Sequence, residues 1–291
     1  MASSMTQWKS RTLLLLAAAI VAVCMFVPYG HLAIYPFQLF GTFIHEVGHA
    51  VAVILTGGTV ESLVVNPDTS GYVKSMGGSR AIVASAGYLG SVLVGAALLF
   101  AGRKRQWARP TLIAAGVATL LATAAFSGYG KPLIAFVAFF LGVSLIAYGH
   151  ARSRKGGAQA HLNATGGTLV LASLAYMFVT GGLVAWIVGL LMGCALLFIA
   201  GYTSRAFQHL TVIFLGVQVS LDGLNSIQTL WTLTNHGHSH NDAATMAQLT
   251  KLPASFWAIT WGLMGIAAVG GAFWMFWRDD KKKPSAKKKK K

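Results

Sequence analysis

The stretch PFQLFGTFIHEVGHAVAVIL, residues 36–55, decides the fold of this chain. It is long and apolar enough to cross the hydrocarbon core of a bilayer, which takes about 20 residues in a helix. Its ionisable side chains are His45, Glu46 and His49. The stretch therefore predicts a membrane-spanning helix that carries two imidazoles and a carboxylate at mid-depth.

The composition of the whole chain agrees with a membrane protein. The 291 residues include 23 Lys and Arg and only 7 Asp and Glu, and charged residues make up 10% of the chain. Soluble domains carry roughly 25% charged residues, so an ordinary soluble domain is excluded. Disorder is excluded as well, because 55% of the residues are hydrophobic. Cys24 and Cys194 both lie in apolar runs, which excludes a disulfide framework.

Apolar stretches separated by Gly, Pro or charged residues predict an all-α polytopic membrane protein with about nine transmembrane helices. The first stretch resembles a signal peptide, but no small-x-small cleavage site follows it, so we predict a retained span. Residues 1–277 form a single integral membrane domain in this interpretation, and residues 278–291 form a disordered polybasic tail. The predicted spans are 12–27, 36–55, 81–101, 110–126, 132–149, 167–180, 183–202, 207–233 and 255–277.

The segment after the second span differs from the rest. Residues 59–65 are rich in β-formers, residues 66–71 form a turn cluster, and a further short β-prone run follows. This pattern predicts a β-hairpin near residues 59–75. A surface loop with some local pairing is the alternative that the sequence leaves open.

Basic residues are concentrated in few loops. With nine spans, the loops near Arg103, Arg152 and Arg205 and the C-terminal tail fall on one side of the membrane, which should be the cytoplasm. This places the N-terminus outside, although Lys9 and Arg11 oppose that orientation. We expect the tail to contact anionic lipid, and we expect no nucleic-acid partner.

His45-Glu46-Val47-Gly48-His49 is an H-E-x-x-H motif on a predicted helix. The helical repeat places His45 and His49 on one face, one turn apart, where both imidazoles can bind one zinc ion. Zinc lowers the pKa of a coordinated water to about 7, and Glu46 is positioned to take its proton as general base. The alternative is a pair of helix-packing histidines beside a neutralised glutamate.

Asp222 is the other acid inside a predicted span, and it lies near the same depth as the histidines. A carboxylate at mid-bilayer is costly unless it is paired, so we predict that Asp222 is the third metal ligand. An acid hydrogen-bonded to neighbouring helices remains the alternative. Asn225, one turn later, is a possible supporting residue, although an interhelical hydrogen bond is the favoured explanation.

A polar loop before the last span contains alternating histidines. Such a loop could bind zinc, nickel or copper weakly, or it could simply be solvated. We retain it as a possible secondary metal loop formed by His236, His238, His240 and Asp242.

The run Phe43-Ile44-His45-Glu46-Val47-Gly48-His49-Ala50, together with the distant Leu221-Asp222-Gly223, resembles the site-2 protease family of intramembrane zinc metallopeptidases, and its M50B-like branch most closely. The resemblance implies that the two histidines and the aspartate bind zinc and that the glutamate is the base. It also implies that a β-hairpin after the first motif helix presents an extended substrate, and that the two motif helices run parallel. Bacterial relatives tend to carry this hairpin on the cytoplasmic side, which conflicts with the orientation that the basic loops predict.

One family signature is altered here. The pattern A-G-P-x-x-N, usual in the next span, reads Ala86-Gly87-Tyr88-Leu89-Gly90-Ser91, so the proline and the asparagine are replaced. Any role carried by that asparagine is therefore not expected of this chain.

These residues predict an intramembrane zinc metalloprotease, with one Zn²⁺ per chain, that cleaves a membrane-protein or peptide substrate. We expect it in the bacterial plasma membrane with a cytoplasmic C-terminus. A divalent-metal transporter and a non-catalytic protease-like membrane protein are the two alternatives.

Overall fold

The computed structural model describes residues 2–152, 157–235 and 241–278. Long helices dominate the fold, as the hydropathy pattern predicts, and two short strands follow the second helix. The helices are α1 (Ala2–Phe26), α2 (Gly30–Leu55), α3 (Arg80–Gly102), α4 (Ala108–Phe126), α5 (Pro132–Arg152), α6 (Gly157–Val179), α7 (Leu183–Tyr202), α8 (Arg205–Asn235), α9 (Asp242–Thr250) and α10 (Ala254–Arg278), and the strands are β1 (Thr59–Val65) and β2 (Gly71–Met76).

Eight helices in the described part of the chain are long and apolar enough to cross a membrane. They correspond to the second through ninth predicted spans, which confirms a polytopic α-helical membrane protein. The first predicted span lies in α1, whose apolar portion, Arg11–Cys24, is shorter than the others. The protein is thus a multi-pass membrane protein.

Two predicted boundaries differ from the structure. Helix α2 begins at Gly30 and carries Pro36 inside it, because the apolar residues before the proline continue the helix. Helix α6 begins at Gly157, ten residues before the predicted span, since polar residues can extend a helix that hydropathy does not detect. The predicted break between the sixth and seventh spans is confirmed, and Gly181 adopts a φ of 70° there.

Helices α2 and α8 run parallel, with α3 antiparallel between them. Phe37 packs edge-on against Phe214, with ring centroids 4.9 Å apart, and one turn later Gly41 meets Asp222. Along α3 the order reverses, since Gly102 meets Ile213 and Gly95 meets Ser220. The parallel arrangement agrees with the one that the family resemblance implies for the motif helices.

The predicted β-hairpin is confirmed as an antiparallel pair of strands, with Val65 opposite Gly71 and Thr59 opposite Met76. The hairpin folds back along α2 rather than standing away from it. The Tyr35 hydroxyl donates to the Pro67 carbonyl at 2.5 Å. The turn therefore lies beside the N-terminal half of α2, and the start of β2 reaches the H-E-x-x-H motif at Glu46.

Helix α9 was not predicted, because its nine residues lie in the segment that we interpreted as a polar loop. The side chain of Asn241 caps it by accepting a hydrogen bond from the Ala244 amide at 2.8 Å. Its apolar side packs on α3 and α10, where Ala243 and Met246 are buried. This short helix places its first residue, Asp242, against the motif helix α2.

Candidate metal centre and active site

The two motif histidines meet on one face of α2. Their Nε2 atoms are 3.1 Å apart, and the ring centroids are 4.8 Å apart in an edge-to-face arrangement. This follows from the helical repeat, which stacks residues i and i+4. Two imidazole nitrogens at this separation can bind one metal ion.

Neighbouring helices orient both rings. The Nδ1 of His49 lies 2.7 Å from the Val83 carbonyl oxygen of α3. When Nδ1 carries the proton and donates it there, the lone pair of Nε2 is free for a metal. The ring of His45 lies edge-on against Tyr88, with centroids 4.5 Å apart, and Tyr88 stacks on Trp261 of α10 at 5.3 Å.

Gly87 leaves the space that the imidazoles occupy. A Cβ at this position would collide with the Nε2 atoms of both His45 and His49. Helices α2 and α3 also approach closely at Gly48, where a Cβ would lie 2.6 Å from the Ala86 carbonyl oxygen. Gly87, the first glycine of the altered A-G-Y-L-G-S segment, is therefore part of the site.

Glu46 lies beside the histidine pair and is 5% exposed. Its carboxylate faces the hairpin, since a Cβ at Gly71 would lie 2.7 Å from Oε1 of Glu46. The Thr42 hydroxyl fixes the hairpin in this position by donating to the Thr69 carbonyl at 2.7 Å. The predicted general base thus lies between the predicted ligands and the start of β2.

The charges of the hairpin are satisfied locally. Lys74 pairs with Glu61 at 3.0 Å, and this hydrogen-bonded pair raises the pKa of the lysine. Hydrogen bonds from the Ser70 hydroxyl and amide lower the pKa of the Asp68 carboxyl in the turn. The two acids of the hairpin are thus paired within it, and the Glu46 carboxylate that faces the start of β2 belongs to α2.

Two carboxylates approach α2 at different levels. Asp222 is partly buried on α8, and its carboxylate fills the space in front of Gly41, one turn before His45. Asp242, the first residue of α9, places Oδ2 3.4 Å from Nε2 of His49. Among the described residues, the cluster whose ligand atoms all lie within 4.8 Å of one another is His45, His49 and Asp242.

The remaining predicted residues lie at the margin of the site or outside the described residues. The side chain of Asn225 is exposed on α8, one turn after Asp222, and its supporting role stays a prediction. His236, His238 and His240 lie outside the described residues. The signals for α9 that we missed are an Asn-Asp pair typical of a helix start and apolar residues at helical spacing after it.

An apolar cavity of about 540 Å³ adjoins the motif helix on another face. Side chains of α2, α3, α4, α7 and α8 line it, and Thr119 is the one polar side chain among them. None of His45, Glu46 or His49 lines this cavity, so it is distinct from the site.

The donor set suits zinc, which binds imidazole nitrogen and carboxylate oxygen in four-coordinate sites. The space beside Gly87 and the orientation of His49 by Val83 fit a bound metal as well. His45, His49 and an aspartate could therefore hold a zinc ion, with Glu46 next to it.

A family described as Peptidase M50B-like matches residues 15–162 and 136–272. The two matches together span most of the chain, so the chain belongs to this family. Membership confirms the resemblance to the site-2 protease family and its M50B branch. At the family level, it makes the chain a relative of membrane metalloproteases. No curated protein and no solved structure matches the chain.

Proposed function

We propose that the protein is an intramembrane zinc metalloprotease that hydrolyses a peptide bond in or near a membrane-spanning substrate. The observation that carries this proposal is the 3.1 Å approach of the His45 and His49 Nε2 atoms, with Glu46 beside them on a membrane-spanning helix. Family membership supports it.

His45 and His49, with an aspartate, would hold the metal. Bound zinc would supply Lewis acidity, which polarises a carbonyl and lowers the pKa of a coordinated water. Val83 fixes the orientation of His49, and Tyr88 packs against His45, so both nitrogens are held in place before the substrate arrives. This preorganisation favours the reaction, because no ligand has to be reoriented during it.

Glu46 would act as general base and then as general acid. It accepts a proton from the attacking water and returns that proton to the leaving amine. Its burial excludes bulk water from the carboxylate, and its position beside Gly71 faces it toward the strand that we expect to bind the substrate.

The hairpin would present the substrate in extended form. The second half of strand β1 is buried and is joined on its outer side by Ser127, whereas β2 has alternating exposure and pairs with no other strand in the described residues. A peptide added to the free edge of β2 would form main-chain hydrogen bonds there. Because β2 begins at Gly71, one end of that peptide would lie close to Glu46.

The surroundings of the protein belong to the same proposal. We propose the bacterial plasma membrane, a cytoplasmic C-terminus, a membrane-protein or peptide substrate, and anionic lipid as the partner of the basic tail, residues 278–291, of which only Arg278 belongs to the described residues.

The test compares the wild-type protein with Glu46→Gln. Both are reconstituted in detergent with a set of single-span membrane proteins tagged at each end, and new peptide termini are identified by mass spectrometry. We expect cleavage by the wild type and a loss of at least 100-fold, about 2.7 kcal/mol, in Glu46→Gln, because the base is removed.

Zinc is measured in the same samples. Equal zinc in both proteins would show that the substitution leaves the metal site intact. Equal cleavage by both proteins would overturn the proposed mechanism, and no cleavage by either, with zinc bound, would favour a non-catalytic membrane protein.

A further inference from the structure

Helix α9 holds Asp242 in a defined position. Asn241 caps the helix, with the Ala244 amide 2.8 Å from its side-chain oxygen, and the Thr245 amide bonds to the Asn241 carbonyl at 3.0 Å. Ala243 is fully buried and Met246 is 4% exposed, packed against Ala84. The first residue of α9 is therefore fixed against α3 by packing and by a cap.

The ligand atoms have the separations that a zinc site requires. Ligands about 2.0–2.2 Å from a tetrahedral zinc lie about 3.4 Å from one another. The two histidine Nε2 atoms are 3.1 Å apart, and Oδ2 of Asp242 is 3.4 Å from His49 and 4.0 Å from His45. The first two separations agree with this value to within about 0.3 Å, and the His45–Asp242 separation is about 0.6 Å longer.

Asp222 has a different position. Its carboxylate lies against Gly41, so that a Cβ there would collide with Oδ2 of Asp222. Gly41 precedes His45 by one turn of α2, and Asp222 is not a member of the His45, His49 and Asp242 cluster. The prediction of Asp222 rested on its depth along a span. That criterion could not detect Asp242, because Asp242 lies in α9, outside the spans.

We propose that Asp242 is the third protein ligand of the metal that His45 and His49 bind, and that α9 is an integral part of the metal site. The assignment rests on the proposed function, because it concerns the same metal. It makes the site depend on three helices, with α2 supplying both imidazoles, α3 supplying the space and the Val83 carbonyl, and α9 supplying the carboxylate.

The experiment measures zinc affinity by chelator competition in the detergent-purified full-length protein. We expect Asp242→Asn to weaken zinc binding by at least ~100-fold, because losing a hydrogen-bond partner of a ligand already costs roughly 10–100-fold in affinity. The matched variant Asp222→Asn removes a carboxylate from the other position and is expected to retain zinc binding within about threefold.

A second variant tests whether Asp242 acts as a metal ligand or only stabilises the structure around the site. Asp242→His restores a donor atom without restoring the carboxylate, and we expect it to recover most of the lost affinity. The Co²⁺-substituted proteins give an independent readout, since the visible ligand-field bands should change in Asp242→Asn and remain the same in Asp222→Asn.

Full zinc affinity and unchanged Co²⁺ bands in Asp242→Asn would overturn this assignment and leave the proposed protease intact. Loss of affinity in Asp242→Asn without recovery in Asp242→His, and with unchanged Co²⁺ bands, would also overturn it. A wild-type protein that binds no zinc would overturn both the assignment and the proposed function.

Discussion

Gly87 has no side chain, yet it shapes the metal centre. The imidazoles of His45 and His49 occupy the space where its Cβ would stand. Because both rings are also held from other sides, by Val83 and Tyr88, they have little freedom to move away from an added methyl group. The absence of a side chain at this position is therefore a requirement of the site.

Gly87→Ala should weaken zinc binding by at least about tenfold, because the added Cβ displaces both Nε2 atoms. We also expect a loss of stability of about 1–3 kcal/mol from overpacking. Chelator competition measures the affinity, and thermal unfolding in detergent measures the stability.

Gly90→Ala is the matched control, on the same helix and one turn later. A Cβ at Gly90 would meet only the Gly48 Cα, at 3.6 Å, which is an ordinary contact. This variant should bind zinc like the wild type. Equal affinity in Gly87→Ala and wild type would show that the rings do not depend on this space.

The elements of the fold differ in how well the sequence predicts them. Long apolar runs predict the spans, because each helix satisfies its own backbone and needs only apolar side chains facing lipid. The turn residues 66–71 predict the hairpin for a local reason as well. Helix α9 was not predicted, because nine residues give only a weak local signal and the helix is stabilised by the packing of Ala243 and Met246 on α3 and α10.

In the candidate site, too, local features are predictable from the sequence and contacts between distant segments are not. His45, Glu46 and His49 lie within five consecutive residues, so the helical repeat alone predicts their approach. A third ligand must come from a distant part of the chain. Depth along a span selects Asp222, whereas the approach of Asp242 follows from the docking of α9, which no local pattern reports.

The hairpin offers a test at the level of an element. Gly71→Ala would place a Cβ 2.7 Å from Oε1 of Glu46 and 2.9 Å from Cγ2 of Thr42. The carboxylate must then shift or the start of β2 must move away. We expect cleavage to fall by at least about tenfold, since small displacements of a catalytic group cost this much or more.

Zinc affinity should stay unchanged in Gly71→Ala, because the substitution lies on the side of Glu46 and not of the histidines. Lys74→Ala is a suitable comparison on the same strand, since it removes only an exposed ion pair with Glu61 and is expected to leave cleavage unchanged. Cleavage by Gly71→Ala at the wild-type rate would contradict a role of the start of β2 in positioning the Glu46 carboxylate.

For the whole molecule, the antiparallel packing of successive helices determines which loops share a side. Helix α3 ends and α8 begins at the same end of the bundle, since Gly102 meets Ile213. The basic residues near Arg103 and Arg205 therefore lie at the same end of the bundle, opposite the open end of the hairpin at Met76. From the positive-inside rule we expect this basic end to face the cytoplasm.

Single cysteines test this orientation after Cys24 and Cys194 are replaced by alanine. Met76→Cys, at a position 64% exposed, should react with a membrane-impermeant maleimide in intact cells. Gln106→Cys, exposed in the loop after α3, should react only after permeabilisation. The reverse pattern would invert the orientation, and labelling of both from one side would contradict a membrane-spanning α3, because Met76 precedes that helix and Gln106 follows it.

Among the described residues, the backbone of Leu63 on β1 is bonded to Gly128, with the amide 2.8 Å from the carbonyl oxygen, and the outer edge of β2 pairs with no other strand. If substrates bind by strand addition as we propose, this edge would accept one polypeptide at a time. Two substrates would then compete for it, and the abundance of one would set how quickly the other is cleaved. A polypeptide that binds this edge tightly and is cleaved slowly would act as an inhibitor. Selectivity in a crowded membrane would then depend on which polypeptide occupies the edge as much as on the rate of the chemical step.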